Sequence, residues 1–317
     1  MSRYSPARKP TIYFIGVTTL QSSIMKVFPA WAKELGLGDV QIIGVDFPLH
    51  APSAAYREVV QFIRQDRLSL GALITTHKID LFAAARDLFD EIDPFATLLG
   101  ETSCISKRNG KLICHAKDPI SSGLAIDGFL EPGYFARSGA EVFSIGAGGS
   151  TIALTWHLMR KDRGVDVPTR IFVSDRSGHR LEEIQRIHDQ IETSTPCEYV
   201  LTPGPSGNDE IVLGLKPGSL IINATGLGKD APGSPLSDAV IFPERAVIWD
   251  LNYRGDLVFL RQAQTQEQSR RLTVVDGWTY FIHGWTQVIA EVFDIAIGTD
   301  SGTIDRLGRA AAAAVRT

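Results

Sequence analysis

An α/β fold built as two domains around mainly parallel sheets is the class this sequence predicts, and three observations predict it. Short apolar runs alternate with helix-period segments along almost the whole chain, the pattern of successive strand-helix-strand units. At 317 residues the chain has room for two cores, at roughly 100–200 residues per domain. A glycine-rich stretch, Gly146-Ala147-Gly148-Gly149-Ser150, falls between a strand pattern and a helix pattern. There the backbone can approach a pyrophosphate and a helix N-terminus can face it.

The elements follow in order. Residues 12–17 read as a strand, and 22–35 place apolar side chains at helical spacing. Residues 40–45 and 71–75 are further strands, with helical patterns at 54–63 and 79–89 after them; Leu81, Phe82, Ala85 and Leu88 share one side of the latter. Residues 102–105 and 111–114 flank Asn109-Gly110, a hairpin signal. A helix begins near Ile120, after Asp118-Pro119, and the first domain is set at 1–118. In a second domain, 119–256, strands at 141–145, 170–174, 197–201, 219–223 and 247–250 alternate with helices or loops, a dinucleotide-binding, Rossmann-type layout. The segment 257–317 is mostly helical, with a short apolar stretch at 272–275. The alanine run near its end reads as a frayed helix end or disordered tail.

Composition narrows the function classes. Hydrophobic residues are 44% and charged residues 21%, a globular balance. A net charge of −4 gives no electrostatic reason to expect nucleic acid or an anionic membrane as partner. No run of about 18 apolar residues is present, as a membrane span would need. The polar, basic stretch 1–10 has no apolar signal-peptide core. Cys104, Cys114 and Cys197 form no metal-ligand spacing, and a sparse, odd count fits buried free thiols in a reducing compartment. The expectation is a cytoplasmic protein without a metal, as monomer or homodimer.

Around the glycine stretch, Asp175 ends the next strand, 27 positions after Gly148. Its carboxylate can accept from adenosine ribose hydroxyls and would repel a 2′-phosphate, which favours NAD; Arg176 beside it leaves NADP open. Asn223-Ala224-Thr225-Gly226 ends a later strand with small residues that let a nicotinamide ring lie close to backbone. A plain glycine turn is the alternative for either loop. For chemistry, Lys78 follows a strand in Thr75-Thr76-His77-Lys78, and Asp118 follows the hairpin. An amine held near a carboxylate suits alcohol–ketone interconversion, in which a proton must leave or reach the oxygen as hydride moves.

Taken in order, these motifs resemble the shikimate/quinate dehydrogenase family from about Ile12 to Ile297. Residues 71–78, GALITTHK, are similar to its G-x-N-V-T-x-P-H-K. Residues 99–104, LGETSC, stand where it has I-G-A-V-N-T, and 115–118, HAKD, where it has Y-N-T-D. Gly146-Ala147-Gly148-Gly149 resembles its G-A-G-G and Ser174-Asp175-Arg176-Ser177 its N-R-T. Asn223-Ala224-Thr225 resembles its N-A-T/S, and Asp250-Leu251-Asn252-Tyr253 its D-x-x-Y. The resemblance implies an NAD(P)-dependent dehydrogenase of a small, cyclic hydroxy acid, acting in aromatic amino acid biosynthesis. Lys78 and Asp118 would be its catalytic pair and Tyr253 would lie at its substrate pocket. It also implies C-terminal helices, 257–317, that return to the first domain, and a substrate cleft between domains.

Departures cluster at substrate recognition. The family's S-x-S-P-x-x-H becomes LQSSIMK at 20–26, so Ser22 matches the second serine and Leu20 replaces the first. Ser103 replaces a substrate-contacting asparagine, Thr75 is the match to the substrate threonine, and Gly284 replaces a pocket glutamine. Tyr280 and His283 join the candidate substrate contacts, and Leu20, Tyr280 and Trp285 predict a more apolar or aromatic substrate than shikimate. A catalytically silent NAD(P)-binding regulator on the same fold is the competing reading; the retained Lys78 and Asp118 argue against it.

Overall fold

The computed structural model describes residues 4–229 and 231–316. Met1–Arg3 of the basic N-terminal stretch, Asp230 and Thr317 lie outside the described residues. Contacts divide the chain into two compact units: one runs through Ser121 and resumes at Ile282, the other is Ser122–Phe281.

The first unit is built on a six-stranded sheet. Its strands are β1 (Thr11–Gly16), β2 (Gln41–Asp46), β3 (Ser69–Ile74), β4 (Glu91–Ile92), β5 (Cys104–Arg108) and β6 (Lys111–His115), in the order β2-β1-β3-β5-β6-β4. β1 runs parallel to both β2 and β3. β5 is antiparallel to β3 and to β6. The hairpin turns at Asn109 and Gly110, both with positive φ (53° and 77°), as an Asn-Gly turn requires. β1 is buried along its whole length, the mark of a central strand covered on both faces. Helices Ile24–Glu34, Ser53–Gln65 and Lys78–Ala85 follow β1, β2 and β3. The last helix, Ser301–Arg316, packs on Ile24–Glu34, and Trp31 Nε1 donates to Leu307 O (2.8 Å). The alanine run therefore corrects its sequence reading: it is helical, and Ala311 is buried in that contact.

The second unit holds β7 (Val142–Ile145), β8 (Ile171–Asp175), β9 (Cys197–Leu201), β10 (Leu220–Asn223), β11 (Val247–Asp250) and β12 (Thr273–Val275), ordered β12-β11-β10-β7-β8-β9. Every pairing in it is parallel. Chain order reverses between β7 and β10, the doubly wound arrangement. Phe143, Ile145, Ile221, Ile248 and Phe259 form one of its cores. β12 shifts the boundary expected at 257. The stretch read as a short apolar interruption pairs with β11, and the return to the first unit begins at Ile282.

Two short helices escape the sequence reading. Pro94–Leu99 is capped by Asp93, whose Oδ1 accepts from Ala96 N (2.6 Å), and is stopped by Gly100 in the left-handed region. Tyr134–Ser138 is a single turn between two left-handed glycines. Neither is long enough to display a 3.6-residue period. Among the described residues, no helix is long and apolar enough to cross a membrane.

Candidate active site

In the first unit, the chain leaving β3 turns over the carboxyl ends of the parallel strands. Thr75 N donates to Ile15 O (3.0 Å), Thr75 Oγ1 donates to the same carbonyl (3.3 Å), and Lys78 N donates to Thr75 O (3.2 Å). His77 supports the turn from inside. It is buried, its Nδ1 is bonded to the Tyr56 hydroxyl (2.9 Å), and it stands edge-on to Phe47. Burial holds its imidazole below the ordinary range, so the ring packs as a neutral group.

Lys78 opens the helix Lys78–Ala85 and Asp118 opens Asp118–Asp127. A helix start carries partial positive charge, which favours the carboxylate at 118 and disfavours an ammonium at 78. The two meet: Lys78 Nζ donates to Asp118 Oδ2, with the side chains only 18% and 10% exposed. Removing one partner of so enclosed a pair leaves a stranded charge, at a cost of about 3–5 kcal/mol. The segment before β5 joins the two helix starts. Thr102 N donates to Lys78 O (3.2 Å), and Ser103 N donates to His115 O (3.0 Å). Lys117 N donates to Ser103 Oγ (2.7 Å). Ser103 is buried, so its hydroxyl holds the backbone that presents Asp118.

Glu101, beside these residues, went unnoticed in the sequence. It is 1% exposed, and neither carboxylate oxygen has a hydrogen-bond partner among the described residues. Burial and the Asp118 carboxylate push its carboxyl up to about 8, against the pull of Lys78. The signal was present in the text of the chain: an acidic residue where the I-G-A-V-N-T motif has alanine.

The first loop is clamped to its neighbour strand. Thr19 N and Oγ1 donate to Asp46 Oδ1 (2.8 and 2.6 Å), and Gly44 leaves the room, since a Cβ there would lie 2.1 Å from Thr19 Oγ1. Ser22 ends this turn half-buried, with its N donating to Thr19 O (2.9 Å). Leu20 is 80% exposed. Trp285 is buried, edge-on to Phe14 at 5.1 Å. His283 is buried, and its Nδ1 has no partner among the described residues. Burial lowers its pKa, which keeps it neutral. At Gly284 a Cβ would meet nothing within 4 Å, so the family's glutamine gives way to open space.

In the second unit the glycine turn follows β7. Gly146 has φ +101°, and a Cβ there would come within 3.1 Å of Ala224 O, so glycine is demanded by both conformation and space. This brings the loops after β7 and β10 together. Ala147 N donates to Asp175 Oδ2 (2.8 Å) and Ser177 N to Asp175 Oδ1 (2.8 Å). Arg176 is exposed. Gly148 precedes the helix Gly149–Met159 without a side-chain cap, and a Cβ on it would meet nothing within 4 Å. The helix start thus keeps its N–H groups and open space for an anion.

Asn223 is buried and builds the second loop. Its Oδ1 accepts from Thr225 N (3.0 Å) and Thr225 Oγ1 (2.6 Å), and its Nδ2 donates to Asp250 Oδ1 (3.1 Å). Asn252 Nδ2 donates to Thr225 O (3.2 Å) and Leu227 O (3.1 Å). Asp250 and Asn252 were outside the sequence-derived site, yet they hold Ala224-Thr225-Gly226 in shape. Burial raises the Asp250 carboxyl to about 7. Tyr280 belongs to this unit, where its hydroxyl donates to Ser150 Oγ (3.3 Å) and its ring lies edge-on to Trp249. Tyr253 packs on Phe281 and Trp278 at 4.5 and 5.6 Å. The structure therefore gathers Lys78, Asp118, Thr75, Ser103 and Ser22 into one unit. The glycine turn, Asp175, the 223–226 loop, Tyr253 and Tyr280 lie in the other.

Six parallel strands in this order, with a glycine turn at the reversal point, define a Rossmann-type α/β protein. No protein-family model matches the chain. A curated relative, the shikimate dehydrogenase (NADP(+)) of Lactococcus lactis subsp. cremoris (strain MG1363), is 26% identical over 178 residues, 56% of this chain and 59% of the relative. The match thus spans less than two thirds of the relative's own length. Two solved structures share the fold. Shikimate 5-dehydrogenase from Thermus thermophilus, in complex with NADP(H) and shikimate, superposes with a TM-score of 0.66 at 20% identity, covering 95% of this chain and 99% of that one. Ligand-free 5-ketofructose reductase of Gluconobacter sp. strain CHM43 gives 0.65 at 19%, covering 95% and 98%. The chain is thus similar to shikimate dehydrogenases in sequence over part of its length and shares their fold over nearly all of it.

Proposed function

We propose that the protein is an NAD(P)-dependent oxidoreductase that interconverts a secondary alcohol and a ketone on a small, polyhydroxylated substrate. The observation that carries this reading is the enclosed Lys78–Asp118 pair, set just after the carboxyl ends of β3 and β6. Bound at the glycine turn, the nicotinamide cofactor accepts or supplies the hydride. The residues of that turn suit it: Gly146 allows the close approach, the start of Gly149–Met159 meets the pyrophosphate, and Asp175 faces the ribose. Asp175 already organises the turn through Ala147 and Ser177, and its negative charge makes NAD the preferred form over NADP. Lys78 is the proton carrier. In oxidation its neutral amine takes the hydroxyl proton; in reduction the ammonium returns it. Asp118 orients the amine and accepts from a second, non-reacting hydroxyl of the substrate.

The substrate departs from shikimate. Leu20 stands in place of the first serine, and the space at Gly284 is open. Quinate and shikimate are therefore one arm of the substrate range. Keto sugars without a carboxylate, the kind of compound named for the Gluconobacter neighbour, are the other. Free Cys104, Cys114 and Cys197 fit a cytoplasmic site of action.

A panel of cyclic hydroxy acids, polyols and keto sugars, read by nicotinamide absorbance with NAD and with NADP, tests the reading. Turnover of at least one that is lost in Lys78→Ala with cofactor binding retained is the expected result. Cofactor binding with no turnover of any compound would make the protein a silent nucleotide-binding regulator.

A further inference from the structure

One ionisable group in the first unit has no part in the proton transfer described above. Glu101 stands where the family motif has alanine, so neither the fold nor the chemistry as proposed demands it. Its side chain is 1% exposed and neither oxygen has a protein partner among the described residues. A buried carboxyl group left in that condition is unfavourable, and nothing in the packing of the loop calls for an acid there. Its surroundings are charged. Asp118 and Lys78 act on it from the starts of two helices and Asp93 from the cap of a third, while burial pushes the nearby Cys114 thiol up and keeps it neutral. The next residue, Thr102, is tied by its N–H to Lys78 O (3.2 Å). Two carboxyl groups thus attend a single amine.

We propose that Glu101 is a positioning residue for the Lys78–Asp118 pair, a second buried carboxyl group whose protonation state sets how firmly Lys78 holds its proton. The inference rests on the dehydrogenase reading of that pair. Burial, then Asp118, push the Glu101 carboxyl up to about 8, with Lys78 opposing and Asp93 reinforcing. While Glu101 is neutral it adds no negative charge beside Lys78, which can give up its proton to become the base. Once Glu101 ionises, a second negative charge in a low-dielectric site stabilises the ammonium. The amine is then withheld from alcohol oxidation, while the acid form needed for ketone reduction is kept to higher pH. The chain would in this way be biased toward reduction under mildly alkaline conditions.

The experiment is a titration of Lys78 in the full-length protein. Lysine labelled with ¹⁵N and ¹³C is followed by NMR, and the Lys78 signal is assigned by its loss in Lys78→Arg. Wild type is compared with Glu101→Gln, the isostere of the neutral acid, and with Glu101→Ala, which restores the family's residue and so guards against a folding failure. Lys78 should lose its proton about one pH unit lower in both variants. The alkaline-rising limb of kcat/KM for oxidation should move by the same amount and in the same direction. Thermal melts should show Glu101→Gln gaining on wild type as pH rises from 5 to 8. An unchanged Lys78 titration would overturn the proposal. Because that titration needs no substrate, it judges Glu101 even if no compound is turned over, an outcome that would sink the dehydrogenase reading alone.

Discussion

Both candidate sites sit at the carboxyl ends of parallel strands, but they are made of different material. In the second unit the site is backbone: a left-handed glycine, amides of a helix start, and a loop held by neutral amide side chains around Asp250. In the first unit it is charge: one amine and two carboxyl groups enclosed among helix starts. Backbone geometry tolerates little change, because a Cβ at Gly146 would press on Ala224 O at 3.1 Å. Side-chain chemistry can be retuned one residue at a time. Leu20, Ser103, Gly284 and Glu101 are four places where this chain departs from its relatives' motifs, and all belong to the first unit.

The largest effect that would test this contrast is at the amine. Lys78→Ala should lower kcat/KM by about 10²–10⁴-fold, while NAD affinity by calorimetry stays within a factor of about two of wild type, well under 1 kcal/mol. Loss of cofactor binding in the same variant would show that the two sites do not divide the work.

Acidity should next separate the units by sign. His188 in the second unit is buried, bonded to Thr155 Oγ1 (2.7 Å) and the Tyr199 hydroxyl (2.8 Å), and burial lowers its pKa to about 4. An unfolded histidine titrates near 6.5, so between those values the unfolded chain binds more protons. His188 therefore withdraws stability as pH falls from about 6.5 to 4, by roughly 2–3 kcal/mol. Glu101 in the first unit works the other way. Its folded value near 8 exceeds that of a free carboxyl group, so the folded chain holds the extra proton and stability falls as pH rises from about 4.5 to 8. Denaturant midpoints of His188→Phe and Glu101→Gln against wild type should diverge at opposite ends of the pH range. Parallel curves would refute both assignments.

Gly146→Ala should cost about 1–3 kcal/mol of stability, as a side chain forced into a left-handed, crowded position does. It should weaken NAD binding while leaving the Lys78 titration unchanged. Asp175→Ser, which removes the charge but keeps an acceptor, should shift the NADP/NAD ratio of kcat/KM toward NADP by about tenfold, or 1.4 kcal/mol. An unmoved ratio would assign the preference to Arg176 instead. Smallest is Gly284→Gln, which places an amide in open space; activity toward shikimate should rise a few-fold, under about 1 kcal/mol, if that opening governs substrate choice.

Legibility in the sequence followed the same division. The parallel strands of four or more residues in both sheets were readable because each is a short apolar run bounded by turn residues, and the Asn109-Gly110 hairpin because its turn type demands those residues; the two-residue β4 was not. The glycine turn and Asp175 were readable for the same steric reason. β12 was not, since three residues of edge strand carry little pattern. Pro94–Leu99 escapes although Asp93, Pro94 and Gly100 spell its boundaries, because periodicity passes over a six-residue helix. Ser103 and Asn223 read as ligand contacts in the sequence; the structure adds that Ser103 Oγ and Asn223 Oδ1 accept from backbone N–H groups. Trp285, whose helical spacing reads as core, is buried. Composition cannot distinguish these fates, because burial depends on partners far away in the chain. Glu101 shows the limit most clearly: a buried acid and a surface acid are the same letter.

Trp31 reaches Leu307 across 276 positions, and the first unit is assembled from both ends of the chain. On a ribosome, the helix that covers Trp31 emerges after the whole of the second unit. The intervening Rossmann unit, whose strands all lie between Val142 and Val275, is complete before it, so a nascent chain would form its glycine turn while the unit that carries Lys78 still waits for its supporting wall.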